Sequence, residues 1–276
     1  MTLDEAIVTL RRDPRHAALV RDAYLGPDVL DSAARFLASG EFLELKRLLG
    51  SRLEGGTIVD LGAGTGIASY AFAKSGAARV WAVEPDTSSE VGRGALARLT
   101  VGLPVDVVDA MGEHLPLADA SADIVYARQV LHHAADLRKL LQECSRVLRS
   151  GGTFIACREH VANTPQELEL FLQNHPVHRL AGGEHAFPLP DYLSAIRSAG
   201  LTLVRVYGPW DSVLNTFPQI RTEEERLRYP RTRLEMKLGR LGGTLASLPG
   251  VPGVIWRRLA RHTVPGALHS FVAVKG

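Results

Sequence analysis

From residue 57 onward two hydrophobic rhythms alternate, and few folds accommodate both. Short apolar runs at 57–61, 79–83, 104–108, 123–127 and 152–157 are separated by stretches at 66–75, 87–98 and 135–148 whose apolar residues recur at helical spacing. A strand that is apolar at successive positions must be covered on both faces. Helices alternating with such strands supply the cover, which gives a parallel sheet built from βαβ units. One more helix is predicted at 191–199 and two more strands at 201–207 and 268–274.

The flanking regions follow other patterns. Residues 1–50 are expected to form a helical cap. Thr2 and Glu5 have capping-box spacing, and Asp13-Pro14 sets a cap before a proline whose missing N–H costs little in a first turn. Phe42, Leu45, Leu48 and Leu49 share a helical face that ends at Gly50. The core is assigned to 51–207 and 268–276, and 208–267 to a helical insertion between the sixth and seventh strands. Between 209 and 266 ten Arg and Lys stand against five acids, although the whole chain carries a net charge of only +2. Leu227, Leu234, Leu238, Leu241 and Leu245 approximate one face of this insertion, which suggests a lid over an acceptor pocket. Contact with an anionic membrane surface is the weaker reading, because Gly242-Gly243 and Pro249-Gly250 interrupt the pattern.

Composition excludes several classes. With 46% hydrophobic and 22% charged residues, the chain is too apolar for wholesale disorder. Cys144 and Cys157 have no CxxC spacing, so neither a disulfide framework nor a zinc ribbon is expected, and a reducing compartment suits them. There is no apolar run of membrane-spanning length and the chain opens on acidic residues, so a cytoplasmic location is expected. The balanced charge argues against nucleic acid as a partner. Composition and patterning assign no oligomeric state.

The first strand ends in Asp60-Leu61-Gly62-Ala63-Gly64-Thr65-Gly66. Alternate glycines permit a sharp turn and let a ligand approach where a Cβ would collide. The dinucleotide fingerprint would place its third glycine at Ile67, so a nicotinamide cofactor is disfavoured. The second strand ends in Val83-Glu84-Pro85-Asp86, where an acid accepts hydrogen bonds from ribose hydroxyls in nucleotide-binding βαβ units. The third ends at Asp109-Ala110-Met111, an acid for an exocyclic amine of adenine beside an apolar side chain for the ring.

These residues resemble the class I S-adenosylmethionine-dependent methyltransferases, in particular their broad small-molecule group. The likeness covers roughly 57–158 and includes Glu113-His114-Leu115-Pro116-Leu117 and Arg146-Val147-Leu148-Arg149-Ser150-Gly151-Gly152. It departs at Leu117 and Ala122, where the group usually has phenylalanine. The resemblance implies a Rossmann-like α/β fold, with a seven-stranded, mostly parallel sheet whose last strand is antiparallel. It also implies S-adenosyl-L-methionine at Asp60, Gly62, Ala63, Gly64, Gly66, Glu84, Pro85, Asp109, Ala110 and Met111, with Arg128 and Gln129 near its methionine portion. The expected activity is methyl transfer to a small-molecule or glycan acceptor, on oxygen. The alternative is a non-catalytic regulatory protein that binds the same cofactor.

An oxygen acceptor must lose a proton, which calls for a base within hydrogen-bond reach. Leu131-His132-His133 follows the fourth strand, so His132 and His133 are the candidate bases, titrating near pH ~6.5. Glu159, His160, Glu184 and His185 are candidates for the acceptor wall. Together with His175 and His178 they contain metal-ligating types, but the spacing is loose and no metal is expected.

Overall fold

The computed structural model describes residues 1–261 and 264–276; His262 and Thr263, within the basic insertion, lie outside the described residues. The strands are β1 (Thr57–Leu61), β2 (Arg79–Val83), β3 (Val105–Val108), β4 (Ala122–Arg128), β5 (Leu148–Val161), β6 (Leu201–Tyr207) and β7 (Ala267–Lys275). They form one sheet in the order β3-β2-β1-β4-β5-β7-β6. The pairs from β3 through β5 are parallel, and β7 enters antiparallel between β5 and β6. The sheet expected from the sequence and its resemblance is therefore present.

Successive residues of each central strand face opposite layers. Val59, Leu61, Val125 and Phe154 pack on one side with α7 (Leu137–Val147) and α10 (Leu189–Ser198). Ile58, Ile124, Tyr126 and Ile155 pack on the other with α3 (Val29–Leu37), α4 (Gly40–Leu49) and α5 (Ile67–Lys74). An aromatic chain ties this second layer together: Phe36–Phe42, Phe42–Phe72 and Phe72–Tyr126 have centroids 5.4, 5.7 and 5.1 Å apart. Each fully buried phenylalanine contributes about 1.5–3 kcal/mol by leaving water.

Before α3 come α1 (Leu3–Arg12) and α2 (Ala17–Asp22). The Thr2–Glu5 capping box is formed, and Asp13 caps the turn begun by Pro14. Ile7 and Leu10 of α1 pack with Val91, Val177 and Leu180, so the first helices reach across to the far side of the sheet's carboxyl edge. Leu117 is half-buried against the core and Ala122 fully buried, which makes both departures from the methyltransferase pattern packing positions. Glu113 is also structural, accepting from the backbone N–H groups of Ala135 and Asp136.

Two elements differ from expectation. The helix predicted at 87–98 starts only at Arg93 (α6, Arg93–Leu99). Asp86 accepts from the backbone N–H and hydroxyl of Ser88, a local bond that competes with a helical start. The strand predicted at 152–157 extends through Val161. After a register shift beyond Ala156, with Arg158 at φ +62°, residues Glu159, His160 and Val161 pair again with β7.

The segment after β5 forms α8 (Pro165–Asn174) and α9 (Pro176–Ala181). The insertion is helical, as expected, with α11 (Val213–Thr216), α12 (Glu223–Leu238), α13 (Arg240–Ala246) and α14 (Val251–Arg261). Its leucines do not make a seam. The chain turns at Gly239, and Leu227, Leu238, Leu241 and Leu245 are exposed. Trp210, Tyr229 and Trp256 stack on one another and thereby anchor the insertion to itself. Among the described residues, no helix is long and apolar enough to cross a membrane.

A buried ion pair joins the helical cap to the sheet. Glu41 of α4 accepts from Arg128 Nε at 2.6 Å and Nη2 at 3.1 Å, at the carboxyl end of β4. Burial alone would push the Glu41 carboxyl up, but the Arg128 and Arg158 charges hold it below the ordinary range. Removing one partner of a buried pair strands the other in a dry environment. Glu41→Ala should therefore cost about 3–5 kcal/mol of unfolding free energy. Urea denaturation checks this, and a loss below about 1 kcal/mol would show the pair to be solvated.

Candidate functional site

The carboxyl ends of β1, β4 and β5 open into a cleft of about 590 Å³. Gly62–Thr65 forms one end, and His132, His133, His160, His175 and Glu184 the other. The roof comes from the N-terminal cap, through Ile7, Leu19 and Tyr24. The leucine pattern of the basic insertion suggests a lid there. Among the described residues, α12, α13 and α14 line none of this cleft, and only Pro218 and Gln219 of residues 208–266 reach it. Periodicity marked both regions as helical but could not say which one folds over the sheet's edge.

The three glycines of the loop serve different ends. A Cβ at Gly62 would lie 2.5 Å from Val130 Cγ2, and one at Gly66 would lie 2.4 Å from Leu96 Cδ1, so both permit close chain packing. At Gly64 the nearest atom is Val91 O at 3.7 Å, and the glycine faces the open cleft with φ +53°. Behind it, Glu84 Oε2 accepts from Gly64 N–H at 2.7 Å and Oε1 accepts from Asp86 N–H at 2.9 Å. Glu84 is thereby oriented while one further acceptor lone pair remains on each oxygen. Asp60, at the loop's base, is buried and accepts from the Ser69 hydroxyl at 2.5 Å. Burial pushes its carboxyl up to about 7 against the pull of Ser69.

The other candidates at this end are less uniform. Arg128 and Gln129 line the cleft, but the Arg128 charge is taken up by Glu41, and its Nη1 donates to Gln129 Oε1 at 3.2 Å. Asp109 is exposed and paired with Arg93, Ala110 is half-buried against the core, and Pro85 and Met111 are exposed; none of these four, nor Gly66 or Glu84, lines the cleft.

At the opposite end the fold assembles a histidine–carboxylate group. The extension of β5 beyond Arg158 buries Glu159 completely. Its Oε1 accepts from Val130 N–H at 3.0 Å, and its Oε2 accepts from His132 N–H at 3.2 Å and His132 Nδ1 at 2.7 Å. Glu159 therefore stands behind His132 rather than on the cleft wall. Glu184 Oε2 lies 3.6 Å from His132 Nε2 and 3.7 Å from His133 Nε2. Burial pulls His132 down, but the two carboxylates outweigh it and raise its pKa to about 9. The titration near pH 6.5 expected for His132 is displaced upward for this reason. Burial and the neighbouring His132 charge depress His133, and bring His160 down to about 4.

His160 and Glu184 line the cleft with His132 and His133, whereas His185 packs edge-on against Phe187 and does not. Tyr24 and Arg158 also line the cleft, although neither was among the candidate site residues. Their signal was absent because one sits in an amphipathic cap and the other at a strand end. Gln129, at φ +57°, and Arg158 both occupy the left-handed region, where side chains are held at a cost of about 1–3 kcal/mol each. Both lie where β4 and β5 meet the cleft.

Comparison with known proteins matches residues 59–156 to a family model described as a methyltransferase domain. Dimethylglycine N-methyltransferase of Parasynechococcus marenigrum is 40% identical over 104 residues, 37% of this chain and 37% of that protein. Ubiquinone biosynthesis O-methyltransferase of Rhizobium etli is 28% identical over 135 residues, 49% of this chain and 54% of that protein. The chain thus spans between about a third and just over half of the length of these curated relatives. The crystal structure of an S-adenosylmethionine dependent methyltransferase from Mesorhizobium loti superposes with a TM-score of 0.57. That likeness covers 87% of this chain and all of the other at 18% identity, and it establishes the shared fold.

The buried Asp60 generates a stability prediction. Its folded pKa, about 7, lies above the ordinary carboxylate value, so the folded state binds the proton more tightly than the unfolded state. Stability should then fall as pH rises from about 4 to about 7 and level off above that. Asp60→Asn keeps an acceptor for Ser69 and removes the titration. It should be more stable than the parent by a few kcal/mol at pH ~8, with no advantage at pH ~4. Urea midpoints at the two pH values check this, and an advantage independent of pH would contradict it.

Proposed function

We propose, on the premise that residues 59–156 form a class I S-adenosylmethionine-dependent methyltransferase domain, that the chain moves the methyl group of S-adenosyl-L-methionine onto an oxygen of a small-molecule or glycan acceptor. One observation carries the reading: a single cleft has an open glycine loop at one end and a histidine–carboxylate group at the other. The loop end fits a nucleoside. A side chain at Gly64 would enter the space, and Glu84, buried behind the loop rather than on the cleft's lining, keeps a lone pair on each oxygen for a ribose hydroxyl after accepting one backbone N–H.

S-adenosyl-L-methionine held at Gly64, Glu84 and Gln129 would supply an electrophilic methyl group on a sulfonium sulfur, with S-adenosylhomocysteine as the leaving group and the acceptor's proton passing to a base. The chain's own residues orient the partners and exclude water, which can supply much of the acceleration of a displacement. Ile7, Leu19 and Tyr24 close the cleft from above. Gln129 offers an amide at the methionine end, where Arg128 is neutralised by Glu41.

His133, held below the ordinary imidazole range and therefore neutral, faces the acceptor end and takes up the acceptor's proton, with Glu184 and the protonated His132 beside it and His160 on the adjoining wall. This group is what favours oxygen. The names of the two relatives include one N- and one O-methyltransferase, whereas a hydroxyl acceptor needs a proton acceptor that a tertiary amine does not. Within the insertion at 208–267, Pro218 and Gln219 line the cleft, whereas α12, α13 and α14 do not.

Two variants test the loop. Gly64→Val should abolish S-adenosylhomocysteine binding. Glu84→Ala should weaken it more than tenfold, since each hydrogen bond to a charged group is worth about 1.5–3 kcal/mol. Calorimetry on folded protein is the measurement, and wild-type affinity in both would overturn the assignment. For the other end, His132→Gln and His133→Gln are assayed with labelled methyl donor against a panel of hydroxylated acceptors. Turnover should fall by roughly 10²–10⁴ while cofactor affinity stays close to the parent. Full rates in both would remove this group from the chemistry.

A further inference from the structure

His132 and His133 are adjacent in sequence, and Glu184 is far along the chain, yet all three point one atom at the same small volume. One ring nitrogen of His132, one of His133 and a Glu184 oxygen lie within 4.8 Å of one another. The two nitrogens stand 3.6 and 3.7 Å from Glu184 Oε2. These separations are too long for good hydrogen bonds. They are close to the spacing of ligands around one small cation, because bonds of about 2.0–2.2 Å in a tetrahedral site put ligand atoms about 3.3–3.6 Å apart.

The far side of each ring is already committed. His132 Nδ1 is 2.7 Å from Glu159 Oε2, on a carboxylate that is completely buried and fixed by two backbone N–H donors. His133 Nδ1 is 3.2 Å from the carbonyl oxygen of Gly183, which can only accept. Both rings thus hold their hydrogen on Nδ1 and turn Nε2 toward Glu184; His132, protonated between its two carboxylates, would give up its Nε2 proton when a cation binds. A ligating histidine characteristically donates its other N–H to a carboxylate or a backbone carbonyl, and here one ring does each. Glu159 and Glu184 also bring two carboxylates to the group, which a divalent ion would balance.

We propose that His132 Nε2, His133 Nε2 and Glu184 Oε2 form a three-ligand site for a divalent cation of the zinc class, with its open position toward the acceptor end of the cleft. Two histidines and one carboxylate with a free position suit zinc and its first-row neighbours better than magnesium or calcium, which favour all-oxygen sites. The proposal deepens the methyltransferase reading and rests on it for its use. An acceptor hydroxyl bound at the open position would release its proton to solvent more readily, so the residues assigned to proton uptake would act by holding the ion. Glu159 is then a positioning residue for His132.

The test is a titration of full-length, chelator-treated protein with Zn²⁺, followed by Co²⁺ as a spectroscopic probe. One equivalent of Zn²⁺ should bind. Glu184→Gln and His133→Ala should each weaken binding by at least tenfold, and Glu159→Gln by roughly 10–100-fold. His114→Ala, at an exposed histidine outside the cleft, should bind as the parent does. The visible Co²⁺ bands should change in Glu184→Gln. S-adenosylhomocysteine affinity, measured on the same metal-free samples, verifies that each variant is folded. Absence of stoichiometric binding, or equal affinity in Glu184→Gln, His133→Ala and His114→Ala, overturns the site. Metal binding as expected with no affinity for S-adenosylhomocysteine would instead overturn the methyltransferase reading and leave the cation site standing.

Discussion

The ion pair between Glu41 and Arg128 is the interaction on which the cleft depends. It joins the helical cap to the tip of β4, where the sheet would otherwise be open to water. The guanidinium also lies over Tyr24 and Phe36, at 5.5 and 5.7 Å from their ring centres, so charge and aromatic packing hold the same contact. Neither partner tolerates the loss of the other in so dry a place, which makes the attachment of the cap close to all-or-none. Once it is attached, α3 and α4 cover one face of the sheet, while Ile7 and Leu19 are carried over the glycine loop.

A second constraint acts at β5. Arg158 takes a left-handed conformation, its backbone N–H donates to the Ser270 hydroxyl, and its guanidinium donates to the carbonyls of Leu214 and Phe217. The bulge lets the strand resume pairing with β7 while turning Glu159 inward against His132. Backbone strain at one residue thus fixes the orientation of the histidine group. The same bonds tie the start of the insertion, through α11, to the core.

Much of the architecture was legible in the chain. Consecutive apolar residues in β1 and β2 admit only strands covered on both faces, and Gly62, Gly64 and Gly66 mark the turn that a ligand-binding βα unit needs. Capping residues located the first helix and the turn at Pro14. The extent of β5 and the late start of α6 were not legible. Both are settled by hydrogen bonds to partners, β7 in one case and the Asp86–Ser88 turn in the other, which periodicity does not register.

By itself, the sequence determined the alternation of strands and helices, the glycine loop after β1, the acid at the end of β2 and the presence of two histidines beyond β4, because these depend on local hydrophobic period, backbone freedom and covalent adjacency. Only the tertiary structure decided that the cap and not the basic insertion roofs the cleft, that Glu41 occupies Arg128, and that Glu184 meets His132 and His133 across some fifty residues of chain. The physical reason is range. Periodicity reports which face of an element is buried, whereas a buried charge takes as its partner whatever group the packing of distant elements brings within a few ångströms.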